Sequence, residues 1–413
     1  MKVLHIATSD SGGAGIAALR LHLGLLDAGV ASNMLCLDVA NSNNPNVFKF
    51  NRLDSPILTR LLSKVGLHKT AKQKNKEIFE SLKDSEYDIY SPPYSDINLN
   101  THQLILEADL IHLHWISGFI DYNTFFRTIN KPIIWYLHDF NPLMGGFHLI
   151  QDLAKNKQKS ITNVEDALLN MKRDLYRPHN ITFIANSNST FSLARKLTQD
   201  HPIQLECIPL SVDSNKFRAL DKDACKKVLD IDTSKIWISF GAAGVLNKNK
   251  GILLLIEALK SIQSKGYSVG IICFGGNSAE ISKQLTGIDF KLFPPIKSEE
   301  FLNIIYAASD LYVLPSLEET YGMVAVEAMS SGTPVVGFPV GILPELIIEG
   351  KNGYLAKLGD VSDLALKITD FINSKDQVRM GEYARNTVVE KCSVSAQATK
   401  FIALYKEVLN LKQ

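Results

Sequence analysis

Short apolar runs recur along this chain, and each stops at a glycine, histidine, serine or proline before a stretch with helical spacing begins. Residues 3–7 end in Thr8-Ser9-Asp10-Ser11-Gly12-Gly13-Ala14-Gly15, after which Ile16, Leu19, Leu23 and Leu26 recur at helical spacing until Ala28-Gly29. The same alternation follows residues 108–114, 131–138, 182–186, 235–241, 269–274 and 310–314. A parallel strand pair needs a long crossover, usually a helix, whereas an antiparallel pair is closed by a short turn. The pattern therefore predicts an α/β chain of doubly wound parallel sheets, whose strand carboxyl ends share one edge where ligand sites collect.

At 413 residues the chain exceeds a single core and predicts two domains of about 200 residues each. With 44 basic and 43 acidic side chains the formal net charge is +1, which excludes a global field favouring nucleic acid. Cys36, Cys207, Cys225, Cys273 and Cys392 are scattered, odd in number and without metal-ligand spacing, as expected of reduced thiols in a cytoplasmic protein. The first apolar run reaches Thr8-Ser9-Asp10 too soon for a signal peptide. No run approaches the ~18 apolar residues of a membrane span, so the expected membrane contact is peripheral.

The densest chemistry lies between Asp310 and Gly332. Leu311-Tyr312-Val313-Leu314 reads as a strand, Pro315-Ser316-Leu317-Glu318-Glu319-Thr320-Tyr321-Gly322 as a tight loop, and Met323-Val324-Ala325-Val326-Glu327-Ala328-Met329 as a helix. The N–H groups that follow Gly322 start the helix, carry its positive dipole end and form a seat for phosphate. Glu319 precedes that seat and Glu327 lies about a turn inside the helix. Carboxylates beside an anion seat are suited to hydroxyls, which donate to them, and sugar plus ribose supplies both chemistries. The combination points to a nucleotide sugar.

Glu319 and Glu327 within this frame, followed by Glu-Ala-Met-Ser-Ser-Gly-Thr-Pro-Val-Val, Gly337, Pro344-Glu345-Leu346 and Gly350-Lys351-Asn352-Gly353-Tyr354-Leu355, resemble the signature of glycosyltransferase family 4. That resemblance implies retaining, metal-independent enzymes of the GT-B fold, with two Rossmann-like doubly wound domains facing a central cleft. It sets an N-terminal acceptor-binding domain over residues 1–211 and a nucleotide-sugar domain over 212–395. The final helix, 396–413, with Phe401, Leu404, Tyr405, Val408 and Leu411 on one face, is expected to pack back on the first domain. By the same resemblance Glu327 holds the ribose, and Glu319 with the backbone of Thr320, Tyr321, Gly322, Met323 and Val324 holds the donor sugar. Lys250-Gly251 matches the family's lysine for the diphosphate, and Ile296, after residues 290–293, is placed beside the base. Most members carry an arginine where this chain has Ala242; Asn247 or Lys248, in the longer loop that follows, is expected to supply the missing donor or charge.

The first half carries its own candidates. Gly12-Gly13 match a family loop beside the diphosphate and acceptor, although a Gly-rich turn alone equally fits a simple tight βα connection and is not a Rossmann fingerprint. His112-Leu113-His114-Trp115 and His138-Asp139, with Gly145-Gly146, resemble a subgroup that builds capsular, colanic-acid-like and O-antigen polysaccharides. Taken singly, such histidines are more often structural or merely exposed than catalytic. The resemblance places His138 near the transferred sugar and His114, Trp115 and Asp139 towards the acceptor. After Gly146 the chain departs from the subgroup, since Phe147-His148 leads on without its cysteine cluster.

Residues 52–76 combine Leu53, Ile57, Leu58, Leu61, Leu62, Val65 and Leu67 with Arg52, Arg60, Lys64, Lys69, Lys72, Lys74 and Lys76. A basic amphipathic helix of this kind can lie on an anionic bilayer, and it can equally be an ordinary surface helix. Asp221-Lys222-Asp223 and Asp230-Ile231-Asp232 resemble an Asp-x-Asp metal motif, but their charged, linker-like setting fits helix caps and turns. The expectation is thus a transferase that takes a nucleoside-diphosphate sugar as co-substrate, needs no cofactor or metal, and extends a lipid-linked glycan at the inner face of the cell membrane. The alternatives are a degenerate GT-B subunit that binds without turnover, and a GT-B phosphorylase or sugar-nucleotide hydrolase.

Overall fold

The computed structural model describes residues 1–41, 43–51 and 69–410. Among them, seven parallel strands form one sheet: β1 (Lys2–Ser9), β2 (Ala31–Asp38), β3 (Val47–Lys49), β4 (Leu110–Leu113), β5 (Ile133–Tyr136), β6 (Ile181–Ala185) and β7 (Gln204–Cys207), in the order β3-β2-β1-β4-β5-β6-β7. Six more form a second sheet: β8 (Ile236–Gly244), β9 (Val269–Gly276), β10 (Asp289–Phe293), β11 (Leu311–Leu314), β12 (Val335–Gly337) and β13 (Gly353–Leu355), in the order β10-β9-β8-β11-β12-β13. Every pairing within these sheets is parallel. Both orders reverse direction once, at β1/β4 and at β8/β11, and a doubly wound sheet opens a crevice at that point. The α/β class with two Rossmann-like sheets is the one expected.

The central strands are buried along their whole length: β4, β5, β6, β11 and β12 show no exposed residue. Helices on both faces of a parallel sheet require this, which is why these strands read as continuous apolar runs rather than alternating ones. Where the helix Gly12–Asp27 leaves β1, the two elements nearly touch. A Cβ on Gly15 would lie 2.4 Å from the Ser9 carbonyl oxygen, so only glycine fits there.

The chain divides into two compact units, one of residues 1–186, 191–208 and 398–413, the other of residues 187–190 and 209–397. The last helix, Val394–Val408, brings Phe401 and Tyr405 fully buried into the first unit. Phe401 packs 5.0 Å from His112 and 5.7 Å from Tyr136, ring centroid to centroid, and the Tyr405 hydroxyl lies 2.6 Å from His112 Nδ1. Leu404 and Val408 are half-buried, and Leu411 lies outside the described residues.

Most of the basic amphipathic stretch, residues 52–68, also lies outside the described residues. Its continuation is the helix Ala71–Ser81, started by a reciprocal capping box between Thr70 and Gln73 and burying only Ile78. Its cations have local partners: Lys69 pairs with Glu77 at 2.6 Å, Lys76 lies 3.9 Å from Glu80, and Lys74 sits over the Tyr94 ring. Both Asp-x-Asp sequences are local structure. Asp221 caps the helix Lys222–Val228, and Asp232 accepts from the Ser234 N–H and hydroxyl. The five cysteines form no disulfide, and among the described residues no helix is long and apolar enough to cross a membrane.

Candidate functional site

At the β8/β11 switch point, two loops lock together through backbone. Asn247 opens a single 3-10 turn, Lys248–Lys250, its side chain accepting from the Asn249 N–H at 2.8 Å. The Asn249 carbonyl then accepts from Leu317 N–H at 2.8 Å, in the loop after β11. Gly251 closes the turn with φ +72°, and a Cβ there would sit 1.9 Å from the Pro315 carbonyl oxygen. Glycine is required twice over, by its left-handed backbone and by the contact. This joint delivers Lys250 to Glu319: Nζ donates to Oε1 at 2.7 Å, and the Ser316 hydroxyl donates to the same oxygen at 2.9 Å. Lys248 is exposed to solvent and takes no part in this group, while Asn247 is half-buried.

The helix Met323–Ser330 begins immediately after. Gly322 caps it at φ +95°, a conformation suited to glycine, and no side chain caps its first turn. Ala325 is the first N–H to return to a helix carbonyl, on Gly322, so the Met323 and Val324 N–H groups make no hydrogen bond among the described residues. Both residues are partly exposed, which leaves an open positive end one turn from the Lys250–Glu319 pair. Tyr321 is buried behind it, donating to the Leu210 carbonyl at 2.7 Å, and its own carbonyl accepts from Ile342 N–H. The Thr320 carbonyl accepts from the Thr190 hydroxyl at 3.1 Å. Glu327 is 9% exposed and receives the Tyr306 hydroxyl at 3.3 Å. Ile296 is left apart, half-buried in the loop after edge strand β10.

In the first unit the corresponding switch point lies between β1 and β4. Gly12 has φ +70°, and neither Gly12 nor Gly13 would bring a Cβ within 4 Å of another group, so the backbone there is open to approach. Trp115 and His148 both donate to Asp139 Oδ2, at 2.9 and 2.6 Å, and Asn141 N–H donates to Oδ1 at 2.9 Å. Burial raises the Asp139 carboxyl, but His148 and the Asn141 N–H outweigh it and hold it below its ordinary value. Asp139 therefore orients Trp115 and His148 rather than standing free for a ligand.

His114 requires a correction. Expected to meet the acceptor, it is 2% exposed, with Nε2 2.9 Å from His5 Nδ1 and Nδ1 3.1 Å from His138 Nε2. Both nitrogens are used, so it stands behind His138 and not in front of it. His138 itself is partly exposed, and its Nδ1 makes no hydrogen bond among the described residues. Burial lowers the pKa of His138 to about 4, against an opposing pull from Asp139, and depresses His5, His112 and His114 well below the ordinary value. All four rings are neutral at physiological pH.

Nitrogens of His5, His112 and His114 approach within 4.8 Å of one another. The rings are nearly parallel, however, at 22° for His112–His114 and 26° for His5–His114, with centroids 4.4 and 5.2 Å apart. Both nitrogens of His114 are taken, by His5 and by His138, so it has none left for an ion. His112 stacks on His114 and is held by the Tyr405 hydroxyl.

Several contributors had little sequence signal. Glu165 and Lys172, on the helix Ile161–Tyr176, hold the loop after β5: Glu165 accepts from the N–H groups of Gly145 and Gly146 at 2.6 and 2.8 Å, and Lys172 donates to the carbonyls of Asn141 and Met144 at 2.7 and 2.8 Å. Two buried charges seven residues apart on one helix face are the only trace they leave in the chain. His5 sits inside an apolar strand, and only its register opposite His112 exposes its role.

Residues 221–387, inside the second unit, match the family described as Glycosyl transferases group 1. Curated proteins are similar as well. The chain is 33% identical over 155 residues to the sulfoquinovosyl transferase SQD2 of Arabidopsis thaliana, covering 36% of this chain and 30% of that protein. It is 25% identical over 331 residues to the D-inositol 3-phosphate glycosyltransferase of Corynebacterium urealyticum, covering 75% of this chain and 73% of the relative. The chain thus spans about a third of the first relative's length and nearly three quarters of the second's. Among solved structures, Anabaena Alr3699/HepE in complex with UDP-glucose has a TM-score of 0.64 at 19% identity, covering 98% of this chain and 100% of that one. The two units therefore have the GT-B fold.

Proposed function

We propose that this chain is a retaining glycosyltransferase of the family 4 type, moving a sugar from a nucleoside-diphosphate sugar to a growing surface-polysaccharide oligosaccharide. The observation that carries the reading is the Lys250–Glu319 pair beside the open helix end at Gly322, Met323 and Val324. The lysine and glutamate neutralise each other at 2.7 Å. A partly exposed pair of this kind is worth about 1 kcal/mol or less. A diphosphate offers Lys250 and the free N–H groups several charge-assisted bonds in exchange.

As the glycosidic bond breaks, negative charge grows on the leaving diphosphate, and Lys250 with the Met323 and Val324 N–H groups stabilises it without reorganising. Glu319, released from Lys250 and still held by Ser316, accepts from sugar hydroxyls; Glu327, oriented by Tyr306, accepts from the ribose. Both glutamates act as acceptors of hydroxyls, so the reaction proceeds by same-face attack through an oxocarbenium-like state, with no metal required. His138 contacts a hydroxyl of the transferred sugar. The acceptor is a lipid-linked glycan, met at the inner face of the cell membrane. The group 1 family match, the transferases among the relatives and the UDP-glucose held by the Anabaena neighbour support the donor class.

Calorimetric titration with UDP, GDP, ADP and their sugar nucleotides, run in parallel on Glu327→Ala, tests the reading. Selective binding of one nucleotide, weakened in the variant, and turnover that depends on an added glycan acceptor are expected. Binding without turnover, under every acceptor tried, would replace the enzyme by a non-catalytic GT-B subunit.

A further inference from the structure

Three rings of the buried stack are joined in line: His5 Nδ1 to His114 Nε2 at 2.9 Å, and His114 Nδ1 to His138 Nε2 at 3.1 Å. Each neutral imidazole carries one proton, and each link needs one. His114 can supply only one of the two, so the chain has just two proton arrangements. In one, His5 donates from Nδ1 to His114, His114 donates from Nδ1 to His138, and His138 keeps its proton on the outward Nδ1. In the other every bond reverses, His138 donates inward from Nε2, and its outward Nδ1 is a bare lone pair.

The far end of the chain decides between them. His5 Nε2 is buried and has no hydrogen-bond partner among the described residues. The second arrangement would place an N–H there with nothing to accept it, and orphaned buried N–H groups are the rarer and costlier defect. We propose that His5 and His114 are positioning residues that hold His138 in the Nδ1–H tautomer, so that His138 meets its ligand as a hydrogen-bond donor and not as a base. Its nearest surroundings fit a neutral ring: Tyr136 stacks on it at 5.0 Å, His114 lies behind it, and Asp139, the adjacent carboxylate, is already committed to Trp115, His148 and Asn141. The depressed pKa values of the stack agree, since a second proton anywhere in it is disfavoured by burial.

The consequence for the sugar is directional. An Nδ1–H donor satisfies a hydroxyl oxygen and leaves that hydroxyl's own proton for another acceptor. The role of His138 in catalysis rests on the function proposed above; its tautomer does not.

The first test is long-range nitrogen–proton NMR on the full chain with labelled histidine, using His138→Gln for assignment. Protonated Nδ1 and bare Nε2 on His138 are expected, and the reverse pattern overturns the proposal. Two variants then read the relay. His114→Asn places an amide nitrogen where Nδ1 was and still donates to His138, whereas His114→Asp, read at alkaline pH where its carboxyl is ionised, can only accept and draws the His138 proton to Nε2. The Asn variant should keep the wild-type tautomer and turnover within about threefold; the Asp variant should invert the tautomer and lose about tenfold or more in kcat, the worth of one misdirected hydrogen bond. Should the Asp variant fold poorly, the wild-type tautomer alone still decides. An unchanged His138 tautomer in a folded His114→Asp protein refutes the relay. A correct tautomer in a protein that shows no transfer to any acceptor would sink the proposed function and leave the relay standing.

Discussion

Acid should unfold the first unit well before carboxylates titrate, and the reason lies in His5, His112 and His114. All three are at most 2% exposed and held neutral, with burial as the main cause and their neighbours' charge as the second. Their folded pKa values lie below the ordinary 6.5, so below that pH the unfolded chain binds protons that the folded chain cannot. Stability is therefore complete above pH ~6.5 and is lost as pH falls. Each such histidine costs on the order of 1 kcal/mol per pH unit below its unfolded pKa, so the three together remove several kcal/mol by pH 5.5, against a domain total of ~5–15 kcal/mol. Burial raises Glu165 and Asp152, which work in the opposite direction, so the decisive comparison is with a variant. His5→Asn retains a donor to His114 and removes one titrating group, which should cut the loss by about a third. Urea titrations at pH 7.5 and 5.5, read by pulsed hydrogen exchange in peptides covering β1 and β4, isolate this unit from the other. Equal midpoints at the two pH values, or a His5→Asn protein as acid-sensitive as the parent, would refute a neutral histidine stack.

Other outcomes follow from the two switch points. Lys250→Ala should lower kcat by about 10²-fold, the scale of one preorganised charge at a leaving group, and weaken nucleoside-diphosphate binding in calorimetry. Gly251→Ala must move the Lys248–Lys250 turn off the Pro315 carbonyl and adopt a left-handed backbone, at a cost of at least about 2 kcal/mol; a thermal-melting shift in the second unit checks it. Lys172→Met leaves the buried Asn141 and Met144 carbonyls without their donor and removes the nearby charge that favours the Glu165 carboxylate, and should destabilise the first unit by about 3 kcal/mol, with faster exchange at Gly145 and Gly146.

The fold was legible because parallel sheets covered on both faces write themselves as continuous apolar runs, and strands such as Leu311–Leu314 and Ile133–Tyr136 do so without interruption. The second unit's candidate residues stood out for a related reason: Lys250, Glu319 and Gly322 lie in the loops after strands, where a residue has few structural roles to play. Histidines misled because a strand end and a strand interior look alike in sequence. His114 stands only one residue past β4, yet the register that places His5 opposite His112 turns it inward, and that register is a property of paired strands rather than of either run. Glu165 and Lys172 were hidden for the opposite reason, since they bind backbone, and backbone leaves no mark on the identity of its partners.

On the proposed function, the Lys250–Glu319 pair closes the donor site electrically. Because Lys250 and Glu319 satisfy each other, a ligand that engages only one of them strands the other. Free phosphate would occupy the lysine and abandon a carboxylate whose side chain is 12% exposed; a bare sugar would take the carboxylate and abandon the cation. A molecule that presents an anion and hydroxyls together breaks the pair and leaves neither half unanswered. On the proposed function the contact works as a weak coincidence filter: a pair worth about 1 kcal/mol or less disfavours either fragment of a sugar nucleotide by a few-fold, through the same bond that the whole molecule replaces.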